Sequence, residues 1–350
     1  MGTILSIITF ILMLGILVFV HEFGHFITAK KSGVHIYEFA IGMGPVIKTI
    51  EGKDGIKYSI RALPIGGFVQ MAGEVYEDDD TKKIPKEKFM CNKPWWNRLI
   101  ILCAGVFNNF ILAIILLFFL ALTNDVARVA PVIDKVTPET PAAVAGLKKG
   151  DRIVSVEGTK TSSWDKVVLL LSIDEDRTDY DVVIKRNGKE KKVELKVEVK
   201  EKDGVKSKVL GVNMGSNGRG FTKSIRYAFE KFYATLDQMA YTVGSLFTGK
   251  ISINALSGPV GIFEVVDKKR EQGFAEIVYL TAYLSINLGL MNILPIQALD
   301  GGHVLFVLIE LITRKKVNEK FESIATTIFF VLLMLLMLYV TIHDIIRMIF

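Results

Sequence analysis

The chain has 350 residues, 50% of them hydrophobic and only 23% charged, and its 43 Lys and Arg against 37 Asp and Glu leave a net charge of +6. That composition is too apolar for a soluble enzyme of this length and excludes a cytosolic enzyme, a secreted disulfide scaffold and a disordered tail. The basic excess lies in loops flanking apolar runs, without a basic stripe interleaved with aromatics, so membrane topology accounts for it and no nucleic-acid partner is expected. The two cysteines, Cys91 and Cys103, lack the C-x-x-C spacing of a thiolate zinc site.

Residues 4–20 carry no charged side chain, and the run continues into His21, Glu22 and His25, where a removable signal sequence would place no ionisable groups. Residues 1–29 are therefore expected to form a retained transmembrane helix. Residues 30–98 form a loop in which V-H-I-Y-E-F, I-K-T-I and I-K-Y-S-I alternate like strands, with turns at residues 42–45 and 53–55. Residues 40–47 and 63–71 are more apolar than an exposed hairpin should be, which points either to a sheet dipping towards the membrane or to a small subdomain packed on helices. A second span is expected over residues 99–122.

Residues 128–215 read as a compact β-rich domain, with strands in A-P-V-I-D-K-V, D-R-I-V-S-V-E, Y-D-V-V-I-K-R and K-K-V-E-L-K-V-E-V and short helices at 141–145 and 163–172. Residues 216–274 follow as amphipathic helices; over 221–249 the spacing fits a helix lying on the outer membrane surface or one packed on the spans. Residues 275–313 are mostly apolar but would run roughly 57 Å as one helix against a bilayer of about 30 Å. This third span must break, and Pro295 with Gly301-Gly302 marks where. A fourth span is expected over residues 324–345. Lys30, Lys31, Lys93, Arg98, Arg314, Lys315, Lys316 and Lys320 put their loops inside, hence the N-terminus and residues 123–274 outside.

His21-Glu22-Phe23-Gly24-His25 is an H-E-x-x-H pattern. Positions i and i+4 share a helix face, so both imidazoles can meet one zinc ion while the glutamate reaches a water beside it. The bland alternative is a polar helix end reaching the inner headgroups, which leaves the spacing without a reason. A catalytic zinc needs a third protein ligand. Asp300, directly after the break, is best positioned; His303 is a candidate, and Glu310 and Asp344 lie within or beside spans without a helix break. Asp300 could instead cap a helix over residues 304–313.

With these residues assembled, the chain resembles the site-2 protease family of intramembrane zinc metalloproteases, most closely the bacterial type with a PDZ domain between its second and third spans. The match runs in order through H-E-F-G-H at 21–25, G-M-G-P at 42–45, A-G-V-F-N-N-F at 104–110, P-A-A-V-A-G-L-K-K-G-D-R-I-V-S-V-E-G at 141–158, G-P-V-G-I at 258–262 and N-I-L-P-I-Q-A-L-D-G-G at 292–302. The resemblance implies an α-helical polytopic membrane protein: about four transmembrane helices, a re-entrant β-hairpin and one inserted PDZ domain over residues 128–215. It implies Zn2+ held by His21, His25 and Asp300, with Glu22 as general base. Asn292 and Pro295 would help hold the substrate, and Asn109 matches an asparagine of the family's second span; Asn109, Gly42 and Gly44 are grouped with these substrate-side positions. The hairpin edge would accept an extended substrate by strand addition. V-L-G-V at 209–212 looks like a PDZ peptide-binding strand, which would take a C-terminal tail or act within a size filter. Val106 and Gln297 stand where the family often has proline.

The implied activity is hydrolysis of peptide bonds within single-pass membrane proteins, such as anti-sigma factors or remnant signal peptides, in a bacterial cell membrane. The active site would lie towards the cytoplasmic side, since His21 is about 26 Å along the first helix from its outer end. A metal transporter using the same ligands would need further polar residues in residues 99–122 and 324–342, which offer almost none. A non-catalytic scaffold would have no use for Glu22.

Overall fold

The computed structural model describes residues 2–73, 84–174, 176–202 and 205–349, and residues 74–83 of the loop expected over 30–98 fall outside them. The chain divides into two compact units, residues 1–113 with 256–350 and residues 114–255. It is mostly helical, and four described helices are long and apolar enough to cross a membrane: Gly2–Lys31, Trp95–Thr123, Phe274–Ile293 and Lys320–Met348.

In the first unit, helix α1 (Gly2–Lys31) buries Met13, Leu17, His21, Gly24 and His25. These recur at helical spacing, so one face carries both the packing residues and the histidines. Ile4, Leu5, Leu12 and Ile16 on its other faces are exposed, as suits a lipid environment. Strands β1 (Ile36–Glu51) and β2 (Lys57–Met71) follow as an antiparallel pair. Instead of three short strands there are two long bent ones, because the expected turn at 42–45 is a bend within β1. The bend uses Gly42 and Gly44 in the left-handed region, at φ +89° and +82°. The register folds back on itself: residues 38–41 stand opposite both 67–70 and 57–60, and residues 48–51 also stand opposite 57–60. Met43, Val46, Ile47, Ile50, Ile60 and Leu63 are exposed.

Helix α2 (Trp95–Thr123) comes next, its first half in this unit. The second unit holds β3 (Lys135–Val136), α3 (Pro141–Val144), β4 (Arg152–Val156), β5 (Thr159–Lys160), α4 (Trp164–Ser172), β6 (Asp179–Arg186), β7 (Lys189–Lys196), β8 (Glu198–Lys202), β9 (Val205–Val209), β10 (Val212–Asn213) and α5 (Phe221–Phe247). The four-stranded sheet runs β5-β4-β6-β7, with small pairs β10-β3 and β8-β9 beside it. Tyr180, Val182 and Ile184 alternate inward along β6 and meet Trp164, Val167 and Leu171 of α4 in one core. Ser163 caps α4 by accepting from the N–H of Lys166.

One sequence expectation is corrected in this unit. V-L-G-V at 209–212 is not one strand: Val209 ends β9, Gly211 turns the chain at φ +79°, and Val212 opens β10 against β3. Helix α5 pairs with α4 through Lys231 to Asp165 at 2.6 Å and Asp237 to Lys166 at 2.7 Å. It buries Tyr227, Phe232 and Met239 and leaves Phe221, Ile225, Phe229 and Tyr233 exposed.

The chain returns to the first unit with α6 (Pro259–Gln272), α7 (Phe274–Ile293), α8 (Asp300–Thr313) and α9 (Glu319–Ile349). The expected break is present: helix stops at Ile293 and restarts at Asp300. Gly301 and Gly302 let the connecting segment double back on α8, since a Cβ on Gly301 would lie 2.2 Å from the Leu294 carbonyl oxygen and one on Gly302 2.4 Å from the Gln297 Cα.

Candidate metal centre

Asp300 is the first residue of α8, and its N-cap is Leu299, with no side-chain capping bond. The carboxylate is therefore not spent on capping and turns to α1. Its Oδ2 lies 3.1 Å from Nε2 of His21 and 3.3 Å from Nε2 of His25. The two Nε2 atoms are 3.2 Å apart. Ligands held at about 2.0–2.1 Å around a tetrahedral zinc lie roughly 3.3 Å from one another, so the triangle has the edge lengths of one face of a zinc site.

The chemistry of the donor set agrees. Nδ1 of His25 lies 2.8 Å from the carbonyl oxygen of Ile101, which can only accept, so the proton of the neutral ring sits there and Nε2 is bare. Asp300 Oδ2 is buried without a hydrogen-bond donor. The bare Nε2 of His25, the Nε2 of His21 and the Asp300 carboxylate face one another in a cage that a divalent cation completes. Room for it comes from the close approach of α1 and α2: a Cβ on Gly105 of α2 would stand 2.4 Å from His25 Nε2, and one on Gly24 of α1 2.5 Å from the Ala104 carbonyl oxygen. Among the described residues, His21, His25 and Asp300 are the one such cluster of potential ligands.

The other sequence candidates are occupied elsewhere. Glu310 pairs with Arg98, His303 contacts Glu322 at 3.2 Å, and Asp344 accepts from the N–H groups of Gly258 and Gly261 at 2.8 and 2.9 Å. Glu22 points away from the packed face of α1 towards β2, and its Cγ lies 3.4 Å from where a Cβ on Gly67 would be. Asn292, in the last turn of α7, brings its amide nitrogen 3.4 Å from His21 Nε2. Pro295 is exposed in the connection between α7 and α8.

Gly42, Gly44 and Asn109 take the following places in the structure. Gly42 and Gly44 serve the β1 bend, with Gly42 tight against the carbonyls of Leu63 and Arg61, and do not join the cluster. Asn109 has no exposed surface, and its amide nitrogen lies 3.3 Å from His21 Nδ1, behind the ring rather than on an open side. Sequence reasoning missed Gly105 and the Ile101 carbonyl. The usable signal was the spacing of Gly105 and Asn109, four apart and so on one face of α2.

Comparison with known proteins gives the same direction. The profile of peptidase family M50 matches residues 9–336. A Clostridium acetobutylicum protein named as a zinc metalloprotease is 35% identical over 342 residues, covering 97% of this chain and 97% of its own. A Fusobacterium nucleatum protein of similar name is 34% identical over 350 residues, covering 96% and 97%. The regulator of sigma-W protease RasP of Bacillus subtilis is 31% identical over 418 aligned residues, covering 98% and 99%. Four helices able to span a membrane and this match over nearly the whole length mark a multi-pass membrane protein. The chain belongs to peptidase family M50, the site-2 proteases, and is a zinc metalloprotease.

Proposed function

We propose that the protein cleaves transmembrane segments of single-pass proteins within the bilayer, with zinc held by His21, His25 and Asp300. The observation that carries this reading is the triangle of 3.1, 3.2 and 3.3 Å between their ligand atoms, on helices that lie among candidate membrane spans. When bound, the metal supplies Lewis acidity to the scissile carbonyl and acidifies water. Glu22 takes the proton from the attacking water on its carboxylate and hands it to the leaving amide nitrogen. Asn292, whose amide reaches the edge of the cluster, orients the peptide beside the metal.

A helical substrate hides its carbonyls in its own hydrogen bonds and must be unwound to be cut. Residues 67–70 of β2 pair with β1 on one side and pass Glu22. That segment offers main-chain groups to an extended peptide. The exposed apolar side chains of the hairpin fit a re-entrant position in the membrane.

Residues 128–215 are a PDZ domain in this reading, outside the membrane with the N-terminus, while the zinc site lies towards the cytoplasmic face. Phe221, Ile225, Phe229 and Tyr233 recur every four residues, exposed, along α5, and Phe221 stacks edge-on against Phe118 of α2 at 5.5 Å. That stripe suits the outer headgroup boundary. RasP of Bacillus subtilis is named as a regulator of sigma-W, and an anti-sigma factor is accordingly the substrate class to try first, with remnant signal peptides second.

Glu22→Gln in the full chain tests the proposal. The variant should keep its zinc and leave a single-pass reporter uncut in detergent, a loss of about 10²- to 10⁴-fold. Cleavage at the normal rate would remove Glu22 from the role of base, and cleavage by the wild type in the presence of a strong chelator would remove the metal.

A further inference from the structure

Asn109 is fully buried on α2 and held from two sides. Its neighbour Asn108 donates to the Val20 carbonyl oxygen on α1 at 3.1 Å, and Ser285 Oγ on α7 donates to the Asn109 backbone oxygen at 2.7 Å. The amide nitrogen faces His21 Nδ1 at 3.3 Å, and the amide oxygen is buried without a donor among the described residues.

With zinc on Nε2, a neutral His21 must carry its proton on Nδ1. An N–H would then face an amide NH2, donor against donor. A half-turn of the amide exchanges its nitrogen and oxygen with almost no other movement and turns the clash into a hydrogen bond from Nδ1–H to Oδ1. We propose that Asn109 is a positioning residue that sets the tautomer and plane of His21, its amide oxygen accepting from Nδ1–H when Nε2 ligates zinc. The inference rests on the reading of His21 as a ligand.

The two imidazoles are thus held by different devices. A backbone carbonyl fixes His25 in the ligating tautomer whether or not metal is present. The amide at position 109 accepts from Nδ1–H of a ligating His21 and adds no charge. A carboxylate there would only accept, and it would bury a further negative charge near Asp300 in the metal-free protein.

The test uses the full chain in detergent, with zinc affinity read by competition against a chromophoric chelator and the imidazole nitrogens of His21 read by 15N NMR with and without zinc. Asn109→Leu should bind zinc about ten- to a hundredfold more weakly, the usual cost of losing such an outer partner. Asn109→Asp, which can still accept from Nδ1–H, should recover most of that loss, although as a packing change it is no better than leucine. The wild-type NMR, which needs no variant to fold, should place the proton on Nδ1 in the zinc form, and the Nδ1–H signal should shift in Asn109→Leu. Affinity of Asn109→Leu within twofold of wild type, an aspartate variant no better than leucine, or an Nδ1–H signal unchanged in Asn109→Leu overturns the proposal. His21→Ala separates the two levels: if it keeps zinc as the wild type does, the ligand reading falls and the proposal with it. If it loses zinc while Asn109→Leu does not, only the role of Asn109 falls.

Discussion

Gly105 of α2 stands so close to His25 of α1 that a single methyl group on it would lie 2.4 Å from the ring Nε2 and 2.7 Å from Cε1 of His21. The space between the two helices at this level is the space the proposed metal site needs. Gly105→Ala should therefore either displace both imidazoles or push α2 away. Zinc content of the purified protein should drop, and cleavage should fall at least about 100-fold, the scale of a displacement near 1 Å in an active site. Gly15→Ala on α1 is the control, because nothing lies within 4 Å of its added Cβ. Equal zinc in the two variants would mean that α2 does not bound the site.

The ligand set makes a sharper prediction. Asp300→Asn keeps the shape and removes the charge, so zinc affinity should fall by at least about tenfold. Glu310→Gln and His303→Gln should leave metal content unchanged, since these side chains meet Arg98 and Glu322 rather than the cluster. Elemental analysis of the three variants side by side decides it, and loss of zinc from either control would reassign the third ligand.

How much of this was legible beforehand depended on distance along the chain. His21, Glu22 and His25 could be read because one helical turn relates them, and Asp300 because a helix break singles it out. Asn109 was grouped with the substrate because its relation to His21 spans 88 positions and depends on how α1 crosses α2. The hairpin was legible as strands but not as a sheet folded back on itself, since the double pairing of residues 38–41 follows from bends at glycines whose direction a pattern of alternation does not carry. The apolar stripe of α5 was legible too, whereas the ion pairs of Lys231 and Asp237 with α4 join segments some 70 residues apart.

The break before α8 should be as sensitive as the cluster itself. A Cβ on Gly301 would meet the carbonyl oxygens of Leu294 and Ile293 at 2.2 and 2.3 Å, backbone atoms that cannot swing aside. Gly301→Ala should move the start of α8 and with it Asp300, weakening zinc binding about ten- to a hundredfold. Chelator competition on the full chain measures this. Wild-type affinity would show that Asp300 holds its place independently of the loop behind it.

The second unit offers a pH test that leaves the metal untouched. Asp151 is buried; burial alone pushes its carboxyl up, but two bonds from Arg186, at 2.7 and 2.6 Å, and one from the N–H of Lys148, at 2.8 Å, outweigh it and hold the group below the usual carboxylate range. A group depressed in the folded state stabilises it fully above its unfolded value, near about 3.9, and the contribution fades as pH falls through the folded value. Asp151→Asn should therefore lower amide protection of β4 and β6 at pH 7 and at pH 5 by the same factor. Towards pH 3 and below, the variant and the wild type should converge. Hydrogen exchange of the full chain across this range reads the difference directly, and a gap that widened in acid would mean that Asp151 does not ionise against Arg186.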